Sequence, residues 1–240
     1  MKLLDLFSGI GGFSLGLERA GFETVAFCEI DPKCRHLLNH HWPKVPVYDD
    51  ICALTAERLA DDGIAVDAIC GGFPCQDISF AGLGAGIDGS RSGLWSEYAR
   101  LIRTLRPRVV IVENVSALAS RGLGRVLGDL ATFGYDAWWD CISAASFGFN
   151  HQRDRLWIVA YPHADSLRFQ GFGVAPGGTW SQQQFEGLVQ MALQSSVPTR
   201  SGGGVHDGLP GRSHRLHGLG NAVIPAIPEA IGKEVMKAFA

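Results

Sequence analysis

Val66-Asp67-Ala68-Ile69-Cys70 runs into Gly71-Gly72-Phe73-Pro74-Cys75-Gln76-Asp77-Ile78-Ser79. The apolar run reads as a buried parallel strand. Gly71, Gly72 and Pro74 break it and present the Cys75 thiol at its carboxyl end. Open α/β sheets place their chemistry there. An isolated cysteine is most often an inert core residue. The Pro-Cys-Gln context and the pattern on either side point instead to a functional thiol.

Working outward, the first 160 residues alternate strand and helix signals. Lys2 to Leu6 reads as a strand, Phe7 to Gly12 as a Gly-rich turn, and Phe13 to Ala20 as a helix. Thr24 to Cys28 is a second strand, followed by a helix that Asp31 caps and Pro32 opens. Val45 to Tyr48 is a third strand and Val66 to Cys70 the fourth. Leu94 to Leu105 is a helix. Val109 to Val112 is a fifth strand that stops at Glu113, and Ala137 to Ile142 and Leu156 to Ala160 form a closing pair. This alternation predicts a parallel, doubly wound α/β sheet covered on both faces. After Tyr161 the chain turns rich in Gly, Ser, Gln and Pro, with one amphipathic stretch from Gln182 to Leu193. Regularity returns at Leu216, with a helix over Pro225 to Phe239.

The chain has 240 residues, 46% of them hydrophobic, enough for one good core. No apolar run approaches membrane-spanning length, and the N-terminus lacks a secretory pattern. Six cysteines without a Cys-x-x-Cys pair, in a chain this rich in core, predict a reducing cytoplasm. Cys34, His36, His40 and His41 have no usual zinc spacing, so no metal site is expected. A net charge of -3 argues against a blanket electrostatic grip on nucleic acid but leaves room for a local basic face.

Asp5-Leu6-Phe7-Ser8-Gly9-Ile10-Gly11-Gly12 lies between a strand and a helix. Glycines there allow close backbone approach to a ligand. The dinucleotide fingerprint fails because Ser14 stands where its third glycine belongs. Glu29, at the next strand end, is placed to accept hydrogen bonds from ribose hydroxyls. Asp50, after the third strand, could take a purine amine. Together they suit an adenosine-containing cofactor and not a pyrophosphate. Glu113 should meet Cys75 in one cleft, because the fourth and fifth strands are neighbours. Arg153 and Arg155 project to the same side of an extended segment and could clamp an anion or a carbonyl.

These residues, in this order, resemble the cytosine-C5 DNA methyltransferases over residues 1 to 160 and 216 to 240. Asp5 to Phe13 resembles the family's cofactor loop, Glu29 its ribose acid and Asp50-Ile51 its adenine contact. Gly72-Phe73-Pro74-Cys75-Gln76 resembles the nucleophile loop, Glu113-Asn114-Val115 the acid motif and Arg153-x-Arg155 the arginine pair. Gly220-Asn221-Ala222-Val223-Ile224-Pro225 resembles the closing motif.

The resemblance implies a class I methyltransferase-like sheet with S-adenosyl-L-methionine as cofactor and double-stranded DNA as partner. It implies a cytosine flipped out of the helix, and Cys75, Glu113, Arg153 and Arg155 as catalytic residues. Phe7, Ser8, Gly9, Gly11, Gly12, Glu29, Ile30, Asp50, Ile51, Pro74, Leu94, Asn221, Ala222 and Val223 would line the cofactor site. Residues 161 to 215 would form a short, irregular target-recognition segment. Asn150 and His151 replace the family's usual Pro-Gln before the arginines. A monomer is expected, and a restriction endonuclease partner fits the family without being readable from the chain. RNA methylation, as in the related tRNA-cytosine enzymes, and a catalytically silent DNA-binding relative are the alternatives.

Overall fold

The computed structural model describes residues 1–74, 94–149, 152–169 and 222–240. Cys75, Asn221 and the Gln182 to Leu193 stretch lie outside them, as does most of the expected recognition segment. Among the described residues, seven strands form one sheet: β1 (Lys2–Leu6), β2 (Glu23–Cys28), β3 (Val47–Tyr48), β4 (Ala68–Gly71), β5 (Val109–Val115), β6 (Tyr135–Ser143) and β7 (Asp154–Pro162). Their order is β3-β2-β1-β4-β5-β7-β6. Strands β1 to β5 are parallel, and the chain reverses winding direction between β1 and β4.

The sheet is not parallel throughout, as the alternation suggested. β7 runs antiparallel to β5, and β6 antiparallel to β7. Only residues 144–153 connect β6 to β7, beginning with a one-turn segment over Ala144–Phe147, too short for the crossover that a parallel pair needs. β5 also continues through Glu113 and Asn114 to Val115, because β7 pairs with it that far.

Helices cover both faces. On one lie α1 (Gly12–Arg19) and the C-terminal helix, α7 (Ala226–Phe239), with Leu17, Ile227, Ile231 and Val235 buried against Leu3, Val109 and Ile111. On the other lie α3 (Ala56–Asp61), α4 (Leu94–Leu105) and α6 (Leu123–Thr132); the short α5 (Leu118–Arg121) precedes α6. Helix α4 buries Trp95, Tyr98, Leu101 and Ile102 at helical spacing. Each such side chain contributes about 1.5–3 kcal/mol. Helix α2 (Pro32–His41) flanks the β2 end of the sheet and buries only Leu38. Asp31 caps it, accepting from the Lys33 and Cys34 amides at 2.7 and 3.4 Å. The core extends beyond β7: Phe169 stacks on Tyr161 with ring centroids 3.9 Å apart. Among the described residues, no helix is long and apolar enough to cross a membrane.

Candidate active site at the carboxyl ends of the central strands

The turn after β1 is held in a conformation that side chains disfavour. Phe7 has φ 54°, Gly9 φ 54° and Gly11 φ 85°. A left-handed non-glycine costs about 1–2 kcal/mol and persists only where neighbours impose it. Ser8 imposes it here. Its Oγ donates to the Asp5 carbonyl at 2.6 Å and accepts from the Cys28 amide at 3.2 Å. Its own amide donates to the Cys28 carbonyl at 3.2 Å. The turn is thus stitched to the end of β2.

Glu29 stands at that end. Its carboxylate accepts from the Gly9 amide at 2.7 Å and the Asp31 amide at 2.8 Å. A carboxylate offers about four acceptor positions, so two bonds leave capacity for hydroxyl donors. Ile30 follows with its side chain 75% exposed, an apolar surface beside an acid. Across the same end, Asp50 is exposed and folds its own turn, accepting from the Cys52 amide at 2.8 Å. Ile51 is buried in the core. An open glycine turn, an acid with spare acceptor capacity and an exposed apolar side chain fit the adenosine half of a cofactor.

The closing segment comes back to this turn. A Cβ at Gly12 would overlap the Val223 carbonyl oxygen, and one at Gly16 the Pro225 carbonyl. Glycine at these places lets residues 222–225 lie on α1. Val223 and Ala222 are half-buried there.

The acid motif lies one strand over. Glu113 is buried at the carboxyl end of β5, level with the strand end from which Gly72 leaves β4. A Cβ at Gly72 would stand 2.8 Å from the Glu113 Oε2 and 3.3 Å from its carbonyl oxygen. The segment Gly72 to Pro74 therefore begins against the carboxyl group. Asn114 fixes it, donating from Nδ2 to the Phe73 carbonyl at 3.0 Å. Phe73 packs on Trp95 of α4, with centroids 5.4 Å apart. Pro74 is half-buried; Leu94 opens α4, partly buried on the core.

Antiparallel pairing sets Arg155 opposite Val115, and its Nε reaches the Glu113 Oε1 at 2.9 Å. Burial pushes the Glu113 carboxyl above its ordinary range, and Arg155 and then Arg153 oppose the shift. Burial, followed by the charge of Arg155, lowers the pKa of Arg153. The pair thus sets two guanidinium groups around one carboxyl that retains a proton more readily than a solvated one.

The structure brings Phe7, Ser8, Gly9, Gly11, Gly12, Glu29 and Val223 together at the β1 turn, and Gly72, Glu113 and Arg155 at the β4–β5 ends. Asp50, Ile51 and Ile30 lie at neighbouring strand ends. Three contributors lacked a sequence signal. Trp42 underlies Gly11, where a Cβ would meet its ring at 2.7 Å, and its indole nitrogen donates to Glu18 at 2.9 Å. Arg35 and Arg100 bond to the backbone around the two acids. A tryptophan between two helices and arginines on helix faces look like ordinary packing and solvation.

The chain matches the family model described as C-5 cytosine-specific DNA methylase over residues 1–195. The type II methyltransferase M2.BsuMI of Bacillus subtilis is 37% identical over 168 residues, 67% of this chain and 42% of that protein. M.AquIA of Picosynechococcus is 32% identical over 185 residues, 70% of this chain and 75% of that one. The chain thus spans less than half the length of M2.BsuMI. A DNA modification methyltransferase encoded within an E. coli prophage superposes with TM-score 0.57 and 28% identity, over 73% of this chain and 52% of that one. S. pombe Dnmt2 superposes with TM-score 0.60 over 82% of this chain and 56% of that one. At 19% identity it shares the fold alone.

Proposed function

Because the chain belongs to the C-5 cytosine-specific DNA methylase family, we propose that it methylates carbon 5 of cytosine in double-stranded DNA. The observation that carries this reading is the Glu113 carboxyl. It is buried, bonded to Arg155, and set against the glycine that leads into Pro74-Cys75.

In this reading Glu29 would hold the ribose of S-adenosyl-L-methionine, Ile30 and the Asp50 turn its adenine, and Phe7 to Gly12 the remainder. When bound, the cofactor supplies an electrophilic sulfonium methyl group. Cytosine C5 is a poor nucleophile until a group adds at C6. The Cys75 thiolate forms that bond, being both strongly nucleophilic and a competent leaving group. Glu113, whose burial favours the protonated form against the opposing charge of Arg155, donates to N3 and so balances the electron pair that the thiolate pushes into the ring. Arg155 holds the carboxyl in place, and Arg153 adds positive charge beside it. After methylation, the C5 proton passes to water, the double bond re-forms with Cys75 expelled as thiolate, and N3 returns its proton to Glu113. The base must leave the duplex to meet these groups.

Residues 161–215 serve as the target-recognition segment in this account, with 1–160 and 216–240 as the catalytic part. The protein acts as a monomer, and the names of its relatives support a role in DNA modification.

Transfer of tritium from labelled S-adenosyl-L-methionine tests the reading. Label should enter cytosine C5 of duplex DNA and not tRNA. Label in tRNA alone would move the substrate to RNA, and label in neither would remove the activity.

A further inference from the structure

Two arginines outside the motifs each hold the backbone of one of the turns that carry the paired acids. Arg35 lies in α2. Its Nη1 donates to the Glu29 carbonyl at 3.2 Å and to the Ile30 carbonyl at 2.8 Å. Both carbonyls lie past Cys28, the last residue of β2 in register with β3. Arg100 lies in α4, on the other side of the sheet. Its Nη2 donates to the Ile51 carbonyl at 2.9 Å and to the Leu54 carbonyl at 2.8 Å. Its Nε donates to Glu97 at 2.7 Å, which fixes the fork.

The Asp50 turn closes on itself through the Asp50 carbonyl, which accepts from the Ala53 and Leu54 amides at 3.2 and 3.1 Å. The Ile51 carbonyl takes only a 3.3 Å share of the Leu54 amide, and the carbonyls at the end of such a turn accept further donors, as at a helix C-terminus. Arg100 supplies them. The two helices therefore reach the two acid-bearing turns by the same device: one guanidinium nitrogen spanning two carbonyl oxygens. A guanidinium is a rigid, permanently charged fork, whereas an ammonium is a mobile point charge.

We propose that Arg35 and Arg100 are positioning residues for the nucleoside of the cofactor. Arg35 fixes the backbone that aims Glu29 and Ile30, and Arg100 fixes the backbone that aims Asp50. The inference rests on the cofactor reading above. It assigns the two arginines to binding and not to the chemical step.

Calorimetric titration of the whole chain with S-adenosyl-L-homocysteine, beside steady-state transfer to duplex DNA, tests it. Arg35→Ala and Arg100→Ala should each weaken binding by about tenfold, the scale of a lost charge-assisted hydrogen bond. KM for S-adenosyl-L-methionine should rise by a similar factor, with kcat within about twofold. Arg35→Lys and Arg100→Lys should recover part of the affinity; they also take over the test where an alanine variant does not fold. Arg103→Ala, an exposed position one turn along α4, should change nothing. Unchanged affinity in the Arg35 and Arg100 variants would overturn the inference, as would a fall in kcat matching the loss of affinity. A wild-type chain that bound no ligand would instead overturn the cofactor reading itself.

Discussion

Asp5 should make this protein lose stability as pH rises from acid to neutral. Its carboxyl is wholly buried beneath the β1 turn. Oδ2 accepts from the Ser14 amide at 3.2 Å and the Ser14 hydroxyl at 2.7 Å. Among the described residues, Oδ1 finds no nitrogen or oxygen partner. Burial pushes its pKa from 3.8 up to about 7, while the bonds from Ser14 and Cys70 oppose the shift. The unfolded chain releases this proton near pH 3.8 and the folded chain near pH 7. Between those values the folded state holds more protons, so stability is fully present below the lower one and is lost as pH rises through the upper. With about 1.36 kcal/mol per unit, the loss from pH 5 to pH 8 is on the order of 2–3 kcal/mol. Asp5→Asn keeps an oxygen for Ser14 but does not titrate. Urea unfolding at pH 5, 6, 7 and 8 should therefore show a shallower decline in the variant than in the wild type, by about that amount, with equal m-values. Parallel declines in the two proteins would refute a buried, titrating Asp5.

Three further perturbations follow from the site. Gly72→Ala places a methyl group 2.8 Å from the Glu113 carboxyl; kcat should drop by about 100-fold or more with cofactor affinity within a few fold, as transfer assays and calorimetry would show. Gly12→Ala drives a methyl group into the Val223 carbonyl, so thermal unfolding should move down by several degrees and cofactor binding should weaken. Glu29→Ala removes the acceptor of the Gly9 and Asp31 amides. Cofactor affinity should fall by on the order of 1–3 kcal/mol, and unchanged affinity in calorimetry would reduce Glu29 to a brace for the turn.

Much of the site was legible because its signals are local. A run such as Val66 to Cys70 that ends in Gly-Gly-Phe-Pro states both a strand and its carboxyl end. An acid at the carboxyl end of a strand, such as Glu29 just past β2 or Glu113 within the last residues of β5, inherits that location from the topology. Direction was not legible for β6 and β7, since an apolar pattern is the same read either way; the short link between them decided it. Helices α3 and α6 escaped the reading. Asp5 sits in a strand of leucines, and its burial under Ser14 depends on the packing of α1 rather than on any neighbour in sequence. Arg35 and Arg100 occupy helix positions where arginine is ordinarily solvated. Their bonds span 5 and 49 residues to strand-end and turn carbonyls that acquire their direction only once the sheet exists.

The most direct test of the account is covalent trapping. Duplex DNA with 5-fluorocytosine at the target, incubated with the protein and S-adenosyl-L-methionine, cannot lose the C5 substituent that normally leaves as a proton. The enzyme–base bond should then persist. A denaturant-resistant adduct whose only modified residue is Cys75, absent in Cys75→Ser although that variant still binds the cofactor, is the expected result. No adduct in a preparation that methylates unmodified duplex, or an adduct through Cys28, Cys52 or any other residue, would contradict the assignment of the thiol after β4 as the attacking group.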